Sequence, residues 1–244
     1  MIDSTQAQVK TNTPTLSQKP FDWIGIDGCR EGWIIAWLKD GCPAEIRFAE
    51  SLQPFLKQAP KDAVILIDMI LYKPDETSPR PFDRIAKSQL GKWHSRVFPA
   101  PPKEALSAQD YPEACEKSFL LSGKKISKQC YNLFPKIREA NHPSIHVEQL
   151  IEYHPEIAFK QLNQNTIIEA SKKTELGRSL RQALIESHLK HYPSTPLKPK
   201  AKRTPSFWQH DDLLDALALA LVAQNGEYKN FYQALATFHT LKHV

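Results

Sequence analysis

WIGIDGCREGWIIAWL, residues 23–38, is the stretch that decides the fold. Trp23 to Asp27 reads as a short strand with a polar end, Gly28 to Gly32 as a turn, and Trp33 to Leu38 as a second, apolar strand. The two make a hairpin. A chain that opens on a hairpin is not a dinucleotide-binding α/β sheet, whose first strand feeds directly into a helix.

Outward from the hairpin, Lys39-Asp40-Gly41 is another turn. Ala44 to Glu50 then alternates Ile46 and Phe48 against Glu45 and Arg47, the period of a half-buried strand. Ser51 is placed to cap a short helix that turns Leu52, Phe55 and Leu56 inward. Ala63 to Leu71 (AVILIDMIL) is an apolar run broken by one Asp and reads as a central strand covered on both faces. From Tyr72 to Ile145 the chain is Pro-rich, with short helical patterns at 82–90, 112–121 and 127–140, the last interrupted by Pro135. This is a helical insertion, about 72–145. Val147 to His154 returns to strand character and Pro155 opens a short helix. Thr174 to Leu189 is a helix with Leu176, Leu180, Leu184 and Ile185 on its apolar side, and Asp211 to Ala223 is apolar nearly all round, as a buried helix is.

A three-strand antiparallel meander followed by parallel strands, crossover helices and a helical insertion is the order of an RNase H-like mixed α/β sheet. The expected organisation is a flexible tail at 1–20, a single domain at 21–228 and a C-terminal extension at 229–244. With 244 residues, 41% of them hydrophobic and 24% charged, one elaborated domain with a substantial core is expected. No apolar run approaches the roughly 20 residues of a membrane helix, and residues 1–20 lack the apolar stretch of a signal peptide. Cys29, Cys42, Cys115 and Cys130 show no zinc-site spacing, so they are expected as reduced thiols in a cytoplasmic protein. The net charge is +5. From Arg80 to Lys103 there are six Lys or Arg residues against Asp83 alone, and residues 193–208 carry Lys198, Lys200, Lys202 and Arg203 with no acid. Such stretches suit a phosphate-bearing partner, or two solvated loops.

Several acids stand where burial is expected. Asp27 closes the first strand, although Asp-Gly is also a common turn pair. Asp68 lies inside the central apolar run, where a lone carboxylate is costly unless it is paired, protonated, metal-bound or at a strand end. Asp212 and Asp215 are three apart and share one helix face. Asp212 could serve the helix start, whereas Asp215 lies beyond it. Glu152 and His154 share a strand face by the period-2 rule, and Glu156 suits the first turn of the next helix. Carboxylates packed together resist ionisation, and divalent cations remove that conflict. Mg²⁺ prefers such oxygen ligands, and two ions roughly 4 Å apart can drive phosphodiester cleavage.

The ordered segments GIDGCREGW (25–33), VILIDM (64–69), SRVFPAPPKEAL (95–106), SKQCYNLFPKIREAN (127–141), IEYHPEIAF (151–159), KKTELGR (172–178) and DDLLDALALA (211–220) resemble the family called domain of unknown function 429. The resemblance implies an RNase H-like fold and a predicted nuclease activity. The last helix is also similar to that of Holliday-junction resolvases, with two acids three apart followed by Ala-Leu-Ala. That analogy makes Asp27, Asp68, Asp212 and Asp215 the ligands of Mg²⁺ or Mn²⁺, with Glu152 completing the catalytic set. Arg84, Arg96, Lys103, Lys136 and Lys172 fall where the family keeps basic residues, and they are expected to hold phosphate oxygens. Two departures stand out. Met69-Ile70-Leu71-Tyr72 replaces the family's Pro-Ile-Gly-Leu, and Glu31-Gly32-Trp33 replaces its Gly-Gly-Trp. The expected activity is metal-dependent nuclease action on DNA or RNA. The alternatives are a nucleotide phosphotransferase or hydrolase, and a non-catalytic nucleic-acid-binding protein.

Overall fold

The computed structural model of the chain describes residues 22–40, 42, 44–73, 79–145, 148–189 and 210–240. The expected tail at 1–20 and the basic stretch at 193–208 lie outside the described residues.

The opening hairpin is present. Strand β1 (Asp22–Cys29) pairs antiparallel with β2 (Gly32–Lys39), with Asp27 opposite Ile34, and Cys29 opposite Gly32 closes a turn of only Arg30 and Glu31. β3 (Glu45–Ala49) adds antiparallel to β2. Helix α1 (Leu52–Gln58) follows. Ser51 makes no side-chain cap; instead the Leu52 N–H donates to Glu139 Oε1, 2.6 Å away, from a part of the chain 87 residues on. β4 (Val64–Ile67) runs parallel to β1, and β5 (Leu150–Glu152) parallel to β4. The sheet order is β3-β2-β1-β4-β5, a five-stranded mixed α/β sheet compatible with an RNase H-like fold.

The central strand is shorter than its apolar run predicts. It ends at Ile67, where the Asp68 N–H donates to the Ile26 carbonyl and the Ile67 carbonyl accepts from the Tyr153 N–H, each at 2.9 Å. β5 also stops early, at Glu152, and His154 caps the next helix rather than lying in the strand. The shared strand face expected for Glu152 and His154 therefore does not exist.

The insertion supplies α2 (Pro81–Leu90), α3 (Tyr111–Ser122), α4 (Lys128–Asn132) and α5 (Phe134–Ala140). The break between the last two falls at Leu133, two residues before Pro135, whose ring cannot sit inside a helix but suits a first turn. After β5 come α6 (Pro155–Leu162), α7 (Glu175–His188), α8 (His210–Asn225) and α9 (Tyr228–Thr240). Most of the expected C-terminal extension is α9, whose Phe231 and Leu235 join the core beside Tyr153.

Two apolar layers flank the sheet. Ile24, Ile26, Ile65 and Ile67 face α1 and the insertion helices. Leu66 and Ala36 face α6 and α8. Strand alternation then sends Gly25 and Asp27, and likewise Leu66 and Asp68, to the α8 face. At Gly25 the helix lies directly on the strand: an added Cβ there would stand 1.9 Å from the Ala216 carbonyl oxygen and 2.5 Å from the Ala220 nitrogen. This close approach seats Asp215, one residue before Ala216, beside the end of β1.

In α7 the buried residues are Gly177, Arg181 and Ile185, whereas Leu176 and Leu180 are exposed. Of the face expected inward, Ile185 is buried and Leu184 packs partly against the core, while Leu176 and Leu180 are turned outward and Arg181 takes their place in the contact.

Candidate functional site

A cleft of about 450 Å³ opens where β1 and β4 end, between α8, the start of α6 and the insertion. Asp27, Asp68 and Asp212 line it, together with Lys172 and Lys173. Asp215 stands just behind, 1% exposed. Asp27 is also buried, and its Oδ1 accepts from the Gly28 N–H at 2.9 Å. The Asp68 carboxyl lies near enough for the two to perturb each other's ionisation. Lys172 donates from Nζ to Asp215 Oδ2 at 2.6 Å.

The electrostatics follow from this crowding. Burial, then the neighbouring Asp68 and Asp215, push the Asp27 carboxyl well above its ordinary range, with Lys172 opposing. Asp68 is pushed up by burial to about 6, and so is Asp215. Burial works against the Lys172 ammonium, but Asp215, Asp27 and Asp68 outweigh it and hold its pKa above the usual lysine value. Lys172 is therefore a fixed cation in the carboxylate cluster, and its assignment to a phosphate becomes secondary.

The other acids expected here are already neutralised. By alternation Glu152 leaves the sheet on the face opposite Asp27 and meets the buried Arg80, which bonds both its oxygens at 2.7 and 2.9 Å and Asp83 at 2.7 Å. Glu152 reaches the cleft only as part of this network. Glu156 lies between Arg96 (2.6 Å) and Arg181 (2.7 Å). Arg96 also donates to the Ile168 and Glu169 carbonyls, and Arg181 to that of Ala170. The loop that carries Lys172 is thus pinned by two arginines.

Of the remaining basic residues, Lys136 donates to the Gly32 carbonyl at 2.6 Å and lies over the Trp33 ring. Arg84 and Lys103 are exposed and do not line the cleft. His154 accepts from the Glu156 N–H through Nδ1, so its proton sits on Nε2, toward the Arg96 carbonyl at 3.3 Å. Burial lowers its pKa, against Glu156 and Asp215. It is a neutral helix cap. Sequence reading missed Arg80, Arg181 and Asp83. An arginine at the centre of an apolar helix face, as Arg181 is beside Ile185, is the one signal that was available.

The cluster's donor set is all carboxylate oxygen, which suits a hard cation such as Mg²⁺ or Mn²⁺. Among the described residues, however, no three acidic, His or Cys side chains close on a single point. Lys172 engages Asp215, and Asp27 accepts from the Gly28 N–H.

Fold and site together define an α/β protein with a buried carboxylate cluster at the strand ends of a mixed five-stranded sheet. The chain belongs to the family described as protein of unknown function DUF429, which matches residues 25–236. No curated protein and no solved structure matches it. No helix among the described residues is long and apolar enough to cross a membrane.

Proposed function

We propose that the protein is a divalent-cation-dependent hydrolase of phosphodiester bonds in nucleic acid. One observation carries this reading. Around the cleft, Arg80, Arg96 and Arg181 balance Asp83, Glu152 and Glu156, three positive groups against three negative. Among the described residues, Asp27, Asp68 and Asp215 have Lys172 as the cation of their cluster. Once all three carboxylates are ionised, the excess over Lys172 is two negative charges, held in a buried place that opens on solvent, and it matches one divalent cation.

Asp27, Asp68 and Asp212 would hold the cation from the cleft side, and Asp215 would hold Lys172 against it. When bound, such an ion polarises a phosphoryl oxygen and lowers the pKa of a coordinated water. The chain's own groups supply the rest. The raised Asp27 and Asp68 carboxyls give up their protons as the site fills, so occupancy is favoured above the raised carboxylate range. Lys173, exposed on the cleft rim, offers a point charge to a phosphate oxygen. Arg96 and Arg181 keep the Lys172 loop from moving.

The test is cleavage of labelled DNA and RNA strands with Mg²⁺, Mn²⁺ or chelator. Cleavage that needs the cation and is lost in Asp27→Asn is expected. Cleavage that persists in chelator, or is unchanged in Asp27→Asn, refutes the reading.

A further inference from the structure

Only half of the cleft is explained by the carboxylates. Its wall is apolar: Met69, Ile70, Val97, Phe98 and Leu133 line it. Phe98 is 43% exposed, an uncovered aromatic facing the same space as Asp27, Asp68 and Lys172. Exposed apolar surface at a cleft marks a place that a ligand covers.

Phe98 also sits on a tethered backbone. One residue before it, the Val97 N–H donates to the His94 carbonyl at 3.1 Å, and two residues after it the Ala100 N–H donates to Asp83 Oδ2 at 2.8 Å. Asp83 is held by Arg80, and Arg80 by Glu152 at the end of β5. Arg96, two residues upstream, ties the same stretch to the loop that carries Lys172. The aromatic surface and the charged floor are therefore fixed relative to one another before any ligand arrives. Such preorganisation lowers the ordering cost of binding.

A flat π-surface beside a carboxylate floor that would hold a cation, in a cavity of about 450 Å³, matches one nucleotide: base against the aromatic wall, phosphate toward the bound cation and the exposed Lys173. Bases inside a duplex have both faces covered by their neighbours and cannot stack on a side chain without leaving the helix. We propose that the cleft receives one unstacked nucleotide, its base on Phe98, so that the nucleic acid acted upon is single-stranded at that point. This rests on the phosphodiesterase reading above and names its substrate class.

Binding tests it, by fluorescence anisotropy of a labelled oligodeoxythymidylate or oligouridylate strand, free or annealed to its complement. Ca²⁺ replaces Mg²⁺ so that the strands stay intact. One or both free strands are expected to bind at least about tenfold more tightly than their duplexes, and Phe98→Ala to lose about tenfold on the free strand with duplex binding unchanged. Phe98→Trp keeps the stacking surface and is expected to restore the preference. Equal or tighter duplex binding, wild-type affinity in Phe98→Ala, or no binding of any strand overturns the proposal. The two readings fail separately. Preferential duplex cleavage that Asp27→Asn abolishes sinks this inference and leaves the hydrolase standing. Phe98-dependent strand binding without cation-dependent cleavage does the reverse.

Discussion

Gly25→Ala is the sharpest test of how the carboxylates are brought together. The added methyl would lie 1.9 Å from the Ala216 oxygen, 2.5 Å from the Ala220 nitrogen and 2.9 Å from the Leu219 Cβ. Two of the three neighbours are backbone atoms inside α8, so no side chain can rotate away. Ordinary contact begins at 3.4 Å, so the helix or the strand must move by about 1.5 Å at that point (3.4 less 1.9). Overpacking costs typically about 1–3 kcal/mol, and backbone against backbone places this case at the upper end. For a chain of this size, about 3 kcal/mol lowers the melting temperature by roughly 6–12 °C. The same displacement separates Asp215 from Asp27, and a misplacement of about 1 Å can cost on the order of 100-fold in rate. Thermal unfolding by circular dichroism reads the first effect, the cleavage rate reads the second, and the melting-temperature gain on adding Mn²⁺ reads whether the carboxylates still meet. Gly28→Ala is the control, because there the nearest atom is the Lys136 Cδ at 3.0 Å, on a flexible side chain. A Gly25→Ala protein that melts with the wild type, or that melts earlier but keeps the full Mn²⁺ response, refutes the argument that this contact sets the site.

Three other outcomes are expected. Asp68 and Asp215, raised from the ordinary 3.8 to about 6, hold protons in the folded chain that the unfolded chain has lost, so metal-free stability falls as pH rises from about 4 to 6 and stays low above. Asp68→Asn removes one of these ionisations, so in chelator its melting temperature should exceed the wild type's by more at pH 8 than at pH 5; an equal or reversed difference contradicts the shift. Lys172→Met leaves the buried Asp215 without its 2.6 Å partner, costing about 1–3 kcal/mol in urea unfolding at pH 8. Mn²⁺ should then restore more stability to the variant than to the wild type, and equal recovery speaks against Lys172 as a resident cation. Arg80→Met strands Glu152 and Asp83, each nine-tenths buried or nearly so, and should cost about 3–5 kcal/mol by chemical denaturation. Adding Glu152→Gln and Asp83→Asn should recover much of that loss, and no recovery would mean the network is not electrostatic.

The sheet was legible because its signals are local. The hairpin needed only two apolar runs around Gly28 and Gly32, and β3 needed only the alternation of Ile46 and Phe48. Strand ends were not legible. Apolar character continues through Met69, Ile70 and Leu71, but β4 ends at Ile67, where its pairing with both β1 and β5 ends, and no local pattern marks that point. The start of α1 shows the same limit from the other side: its cap comes from Glu139, and no window around Ser51 contains that residue. The outward turn of Leu176 and Leu180 is a third case, since a helix face rich in leucine is buried only if the protein has somewhere to bury it. Here Glu156 claimed the contact for Arg181.

For the site, the division is one of polarity. Asp27, Asp68 and Asp215 were readable because each is an acid where the local pattern asks for an apolar residue, and the structure brings all three to the α8 face of the sheet. Glu152 met the same criterion and belongs to a different network, because period-2 geometry fixes the face of a strand residue but says nothing of what waits on that face. The basic residues could not be sorted by sequence at all. Arg80, Arg84 and Arg96 look alike along the chain, yet the first is buried between two acids, the second is in solvent, and the third holds the loop that carries Lys172. What separates them is whether an acid from elsewhere arrives beside them, a property of the tertiary fold alone. A buried carboxylate announces itself by its cost; the arginine that relieves that cost becomes visible only when the two are seen together.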